Sequence, residues 1–128
     1  MPFDGRRETG LAGERIAGER LERLGYTVIE RNHRRREGEI DLIAARDGVL
    51  VFCEVKTLVR RRPGGRGPAF PLEAVGWAKR AQVRRLARAW LGSRARARRW
   101  REIRLDAIGV WLSPEGEVLG IDHVENAF

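Results

Sequence analysis

The sequence predicts an α/β protein in which a central mixed β-sheet is flanked by helices. Two observations favour this class. Short β-branched runs surround an Asp47-Gly48 dipeptide, and longer segments with apolar residues at helical spacing precede and follow them. The chain has 128 residues, enough for one domain that buries a core without disulfides. We therefore expect a single domain over residues 1–128.

The first helix is predicted at residues 10–24, with Gly25 as its C-terminal stop. The residues expected on its apolar side are Leu11, Ala17, Leu21 and Leu24. Glu14 projects between the first and third of these, so a carboxylate is predicted on the buried side. An unpaired buried charge is costly, so Glu14 needs either an arginine partner or a functional role.

Three strands are predicted after this helix. Residues 26–31 form a short strand candidate, and residues 32–38 are expected to form a polar loop. Residues 40–46 and 49–57 flank the Asp47-Gly48 dipeptide, which is a strong hairpin signal. Both runs carry apolar residues on both faces, so the hairpin is predicted to lie centrally in a covered sheet.

The second half of the chain is predicted to add one helix and two strands. The helix is expected at residues 71–91, and Lys79 and Gln82 project within or beside its buried stripe. The residues that define this stripe are Val75, Leu86 and Trp90. Residues 103–112 and 118–124 have the apolar pattern of closing strands.

A formal charge of +8 indicates an anionic partner. Nucleic acid, with DNA favoured over RNA, is preferred to a membrane surface because the cations cluster in loops and at a helix end. The arginines expected to contact phosphates are Arg34, Arg35, Arg36, Arg60, Arg61, Arg62 and Arg66, the last four in a flexible basic loop at about residues 59–70. The alternative is that about half of the basic residues are simply solvated. No apolar run matches a signal peptide or a membrane span, so we expect a cytoplasmic protein.

The hairpin register predicts a cluster of charged side chains. If the turn is type I′, Asp41 faces Glu54 and Glu39 faces Lys56, and all four lie on one face of the sheet. Two carboxylates suit Mg²⁺ or Mn²⁺, and a lysine can assist an attacking water, so the pattern predicts phosphodiester hydrolysis. The alternative is a structural network of ion pairs without a metal.

These residues also resemble a known family, the bacterial YraN-type family. The segments that carry the resemblance are Gly13-Glu14, Gly25-Tyr26, Arg31-Asn32, GEIDLIA at 38–44, VFCEVKT at 51–57 and HVENAF at 123–128. The resemblance covers nearly the whole chain. The YraN-type family is similar to restriction-endonuclease-like and Holliday-junction-resolvase-like nucleases of the PD-(D/E)xK superfamily, whose core is a mixed sheet flanked by helices.

The resemblance implies roles for individual residues. The implied catalytic residues are Asp41, Glu54, Lys56 and Glu14, with Asp41 and Glu54 as ligands of Mg²⁺ or Mn²⁺. Lys79 or Gln82 matches a polar site residue on the following helix, and Glu39 is expected to support the site. Ile40 departs from the motif's proline. A homodimer is expected from the resemblance, because junction-cleaving enzymes commonly work as symmetric dimers.

The leading functional expectation is a metal-dependent endonuclease acting on DNA, with branched or structured DNA among its candidate substrates. The main alternative is a noncatalytic nucleic-acid-binding module of a larger DNA- or RNA-processing assembly. A third is an interaction protein within such an assembly. The alternatives predict the same fold and differ in whether a metal binds to the carboxylates.

Overall fold

The computed structural model describes residues 6–60, 77–92 and 100–128. The elements they form are α1 (Arg6–Arg23), β1 (Thr27–Arg35), β2 (Gly38–Arg46), β3 (Val49–Val59), α2 (Trp77–Gly92), β4 (Glu102–Leu112) and β5 (Val118–Val124). The strands make one sheet in the order β1-β2-β3-β4-β5. Only β3 and β4 are parallel, and the other neighbours are antiparallel. The predicted α/β class with a mixed sheet is therefore confirmed.

The two helices cover opposite faces of the sheet. The α1-side core joins Ile16, Ala17 and Leu21 of α1 to alternate strand residues such as Val51 and Ile108. The α2-side core joins Leu86, Ala87 and Trp90 of α2 to the intervening residues, which include Leu50 and Phe52. Because β2 and β3 are buried on both faces, the predicted central position of the hairpin is confirmed.

The predicted polar loop at residues 32–38 was wrong over most of its length. Strand β1 continues to Arg35, which pairs with Gly38 of β2, so only a short turn separates the two strands. β1 is an edge strand, and an edge tolerates exposed arginines because one side of it faces solvent. The composition of the segment therefore reflected its edge position and not the absence of a strand.

The buried side of α1 also differs from the prediction. Leu11 and Leu24 are 52% and 40% exposed, and Ile16 is buried in their place. The reason is that α1 approaches the sheet closely at Gly13, which has no side chain. A Cβ atom added to Gly13 would overlap the side chain of Thr57 in β3. This contact sets the rotation of α1 and holds the next residue, Glu14, close to the sheet.

We expect Gly13→Ala to destabilise the protein by about 1–3 kcal/mol, because the added methyl group overpacks the contact with Thr57. Urea denaturation followed by circular dichroism measures the change. Gly10→Ala is the matched control in the same helix, since a methyl group there meets nothing within 4 Å. An unfolding midpoint unaffected by Gly13→Ala would contradict the close packing of α1.

The second half of the chain follows the prediction where the structure describes it. The closing strands predicted at 103–112 and 118–124 correspond to β4 and β5. Leu86 and Trp90 are buried on α2 as predicted, whereas Val75 and the predicted helix start at 71–76 lie outside the described residues. The described helices include none long and apolar enough to cross a membrane.

Candidate metal centre

The site begins where β2 and β3 separate. Their pairing runs from Arg46 opposite Val49 to Leu42 opposite Cys53, which is the register that the predicted turn requires. The Asp41–Glu54 pair lies just beyond this described ladder. Here the Oδ2 atom of Asp41 accepts a hydrogen bond from the backbone N–H of Val55, at 2.7 Å. The Asp41 carboxylate therefore takes the place of a backbone acceptor at the end of the ladder.

Three carboxylates converge on the α1 side of this point. One oxygen from each of Glu14, Glu39 and Asp41 lies within 4.8 Å of the other two. The arrangement depends on a change of face in β2. Ile40 belongs to the α2-side core and Leu42 to the α1-side core, although residues two apart in a strand normally share a face. Asp41 sits at this change.

Glu54 approaches the cluster from β3 together with a lysine of α2. The Nζ atom of Lys79 lies 3.4 Å from Oε1 of Glu54, which is only 9% exposed. The second oxygens of Glu54 and Glu14, both named Oε2, are buried and have no hydrogen-bond partner among the described residues. Hard carboxylate oxygens without donors fit a divalent cation such as Mg²⁺ or Mn²⁺. Among the described residues, Glu14, Glu39 and Asp41 have carboxylate oxygens close enough together to hold one, and Glu54 lies near Asp41.

The closeness of these acids changes their protonation. Burial, followed by the nearby charge of Glu54, raises the pKa of Asp41 to about 9. Burial also raises the pKa of Glu54, although the Lys79 ammonium opposes this rise. The pKa of Glu14 is raised by burial and then by Glu39. In the absence of a cation the cluster therefore retains a proton at neutral pH, and a metal would have to displace it.

Lys56 follows Glu54 by two residues in β3. It borders a cleft of about 510 Å³ that is also lined by Glu14 and by the N-terminal part of α1 around Gly10. A substrate held in this cleft would meet both side chains. Lys56 is thus placed to act on a group bound beside the carboxylates.

Gln82 contacts the two residues that precede Glu39. Its Nε2 atom donates a hydrogen bond to the backbone carbonyl of Glu37, and its side chain packs over Gly38. This contact ties α2 to the turn between β1 and β2. Of the two α2 residues singled out from the sequence, Lys79 therefore contacts the carboxylate cluster and Gln82 contacts the turn.

The candidate phosphate-binding arginines fall into three groups. Arg34 pairs with Glu39 at 2.6 Å and Arg35 donates to His33 at 3.3 Å, while Arg36 is exposed. Arg60 lies over the ring of Trp111, with 5.1 Å from its guanidinium carbon to the ring centroid. The others, Arg61, Arg62 and Arg66, lie outside the described residues. Arg34 thus lies against Glu39, a carboxylate of the cluster.

Sequence reasoning missed a buried polar network around Asp106 in β4. The carboxylate accepts two hydrogen bonds from Arg104, at 3.1 and 3.0 Å, and another from the backbone N–H of Asn126, at 2.9 Å. It also contacts Nε2 of His123 at 2.7 Å. Burial acts to raise the pKa of Asp106, but these hydrogen bonds outweigh it and lower the pKa. The available signal was an arginine and an aspartate two residues apart, on one face of an apolar strand.

The fold and the site define a class: an α/β protein with a carboxylate-rich candidate metal centre where two central strands separate. Residues 13–110 match the model of the Uncharacterised protein family UPF0102. The chain belongs to this family, which is the YraN family indicated by the motifs. A UPF0102 protein of Moorella thermoacetica is 40% identical over 123 residues, covering 96% of this chain and 97% of that protein. One from Rhodococcus opacus is 42% identical over 119 residues, covering 93% and 94%.

Proposed function

We propose that this protein is a metal-dependent nuclease that hydrolyses phosphodiester bonds in DNA. The observation that carries the proposal is a pair of buried carboxylate oxygens near Asp41, one on Glu14 and one on Glu54, for which the described part of the chain supplies no donor. Such oxygens are costly in a stable fold unless a cation or proton satisfies them. A lysine within the same cleft adds the second requirement for phosphodiester hydrolysis, a positive group near the reacting phosphate.

The residues of the site would have three different roles. Asp41, Glu54 and Glu14 would hold Mg²⁺ or Mn²⁺, which would supply a water nucleophile and charge stabilisation on the phosphate. Lys56 orients or deprotonates the attacking water from the cleft that it shares with Glu14. Lys79 holds the Glu54 carboxylate in place through its ion pair.

The exposed arginines supply substrate binding. Arg35 is the last residue of β1 and Arg36 lies in the turn that follows, and both are exposed. Contacts from such side chains to phosphates position nucleic acid without reading its sequence. This arrangement suits a nuclease that recognises the shape of its substrate, such as branched or structured DNA. A homodimer would present two such sites to a symmetric junction.

A noncatalytic nucleic-acid-binding module is the second candidate. The ion pairs Lys79–Glu54 and Arg34–Glu39 favour it, because they neutralise two of the four carboxylates without a metal. This module would bind DNA with a steep dependence on salt. Its affinity would not respond to Mn²⁺ or to neutralisation of Asp41.

Titration calorimetry with Mn²⁺ tests the two candidates. The nuclease is expected to bind Mn²⁺ with a dissociation constant of about 1 mM or tighter, and to lose at least about tenfold in affinity in Asp41→Asn and in Glu54→Gln. Glu19→Gln is the matched control, because Glu19 is exposed and pairs only with Arg15 at 3.1 Å among the described residues. No Mn²⁺ binding by the wild type, with or without DNA, would favour the binding module.

A separate test concerns the role of Lys56. Lys56→Met should reduce cleavage of branched DNA by about 10²–10⁴-fold and leave Mn²⁺ affinity within a factor of a few, because lysine assists the nucleophile and does not bind the metal. Single-turnover cleavage and calorimetry measure the two quantities. Cleavage by Lys56→Met at the wild-type rate would remove Lys56 from the mechanism.

A further inference from the structure

Asn32 has an unusual backbone conformation for a residue inside a strand. Its φ angle is 50°, in the left-handed region, although it lies in the middle of β1. Residues other than glycine adopt this region at a cost of about 1 kcal/mol or more, and asparagine is among those that tolerate it best. Such a conformation persists only where the surrounding structure requires it.

The left-handed residue changes the face that β1 presents. Arg31, just before it, pairs with Glu22 of α1 at 3.2 Å. His33, just after it, contacts Glu30, whose carboxylate accepts a hydrogen bond from Trp90 of α2. Residues two apart in a regular strand share a face, yet these two face opposite helices. The alternation of β1 is therefore reset at Asn32.

The neighbouring strand is reset at the same level. The β2 partners of the residues on either side of Asn32 are Leu42 and Ile40, which belong to the α1-side and α2-side cores respectively. Asn32 thus lies opposite Asp41, between these two pairs. Because both strands change face together, their pairing continues while Asp41 turns toward α1. The left-handed backbone allows this pairing to survive the turn.

The side chain of Asn32 makes a second connection to the site. Hydrogen bonding from Asn32 acts to lower the pKa of Glu14, which places the Asn32 side chain beside that carboxyl group. Both residues border a cavity of about 270 Å³ between α1 and β1, with Leu42 in its lining. Asn32 therefore contacts one proposed metal ligand and lies opposite another.

We propose that Asn32 is a positioning residue for the metal centre: its backbone turns Asp41 toward α1, and its amide fixes the Glu14 carboxylate beside Asp41. This inference rests on the proposed function, because the acids that it aligns are the proposed metal ligands. Partners that orient a ligand in this way typically change metal affinity by about 10–100-fold when removed.

Two substitutions separate the backbone role from the amide role. Asn32→Gly keeps access to positive φ and deletes the amide, so its Mn²⁺ affinity should fall about tenfold. Asn32→Ala also disfavours the left-handed backbone, so its affinity should fall further. Asn126→Gly is the matched control, because Asn126 has a φ of 56° beside Asp106 and should bind Mn²⁺ like the wild type.

Calorimetric Mn²⁺ titration, with thermal unfolding of the same samples, gives the readout. A merely structural role would lower the unfolding temperature of the Asn32 variants and leave the Mn²⁺ dissociation constant of the folded protein unchanged. Wild-type affinity in both variants would overturn the role of Asn32 and leave the proposed function standing. Absence of Mn²⁺ binding by the wild type itself would overturn the proposed function, and this inference with it.

Discussion

In metal-free buffer at pH 8, Asp41→Asn is expected to be more stable than the wild type by on the order of 3 kcal/mol. The wild-type fold buries Asp41 to 6% exposure beside Glu54, and this raises the pKa of Asp41 from 3.8 to about 9. An amide has nearly the same shape as the protonated acid and carries no charge to desolvate. The substitution removes the free-energy cost of burying a charge at this position and keeps the packing of the site.

The sign of the pH dependence follows from the raised pKa. Below about pH 4 the Asp41 carboxyl is protonated in both the folded and the unfolded protein, so it has no differential effect. Between pH 4 and about pH 9 the folded state retains a proton that the unfolded state releases, and the free energy of unfolding falls as pH rises. The metal-free wild type should lose stability across this window more steeply than Asp41→Asn.

Urea denaturation at pH 5, 7 and 8 with EDTA measures this effect. Asp47→Asn is the matched control, because Asp47 is exposed in the hairpin turn and asparagine also tolerates its positive φ. Addition of Mn²⁺ should stabilise the wild type and leave Asp41→Asn unchanged. Equal stability of the wild type and Asp41→Asn at pH 8 would contradict a raised pKa for a buried Asp41 carboxyl group.

The second large effect is expected from Asp106→Asn, which should destabilise the protein by about 3–5 kcal/mol at pH 7. The substitution removes the charge that pairs with Arg104, whose side chain is only 8% exposed. It also weakens the contact with His123 that joins β4 to β5. Arg104 keeps its contacts with the Tyr26 hydroxyl and with Glu125, whose side chain is 62% exposed. The loss of its buried carboxylate partner still costs far more than the loss of one exposed ion pair.

The Asp106 carboxylate gives the stability of the wild type a pH dependence opposite in sign to that caused by Asp41. Hydrogen bonds hold the pKa of Asp106 below its ordinary value of 3.8. Its contribution to stability is therefore present above pH 4 and is lost as the pH falls through the lowered pKa. The difference between the wild type and Asp106→Asn should shrink in that acid range.

Two controls separate structure from function at Asp106. The double variant Arg104→Met, Asp106→Leu removes both charges and should recover part of the lost stability. Mn²⁺ affinity of folded Asp106→Asn should match that of the wild type, because the network lies outside the carboxylate cluster. A loss below about 1 kcal/mol would show that the network is replaceable.

The sequence alone determined the central hairpin. Asp47 and Gly48 have φ angles of 49° and 78°, and positive φ at both positions is what a type I′ turn requires. A two-residue turn fixes the register of its strands, so the pairing from Arg46–Val49 to Leu42–Cys53 could be predicted correctly. These features are local, because the residues that cause them are neighbours in the chain.

Tertiary structure decided how the cluster is assembled. The position of Glu14 depends on the close approach of Gly13 to Thr57, and that of Lys79 on the packing of α2 against the opposite face. No periodicity within one segment encodes such contacts, because they depend on how separate segments pack. The same limit applies to Gln82, whose contact with the turn before Glu39 depends on the packing of α2.

The change of face at Asn32 and the network at Asp106 also depend on tertiary contacts and could not be predicted from local sequence. Strand propensity predicts regular alternation. The backbone strain of a left-handed asparagine is offset only when β1 and β2 pair with each other. Asp106 is buried because its partners on β4, β5 and the C-terminal segment satisfy it, and those partners meet only in the folded sheet. The sequence thus determined the family, the α/β class and the hairpin register, whereas packing between distant segments determined which acids meet.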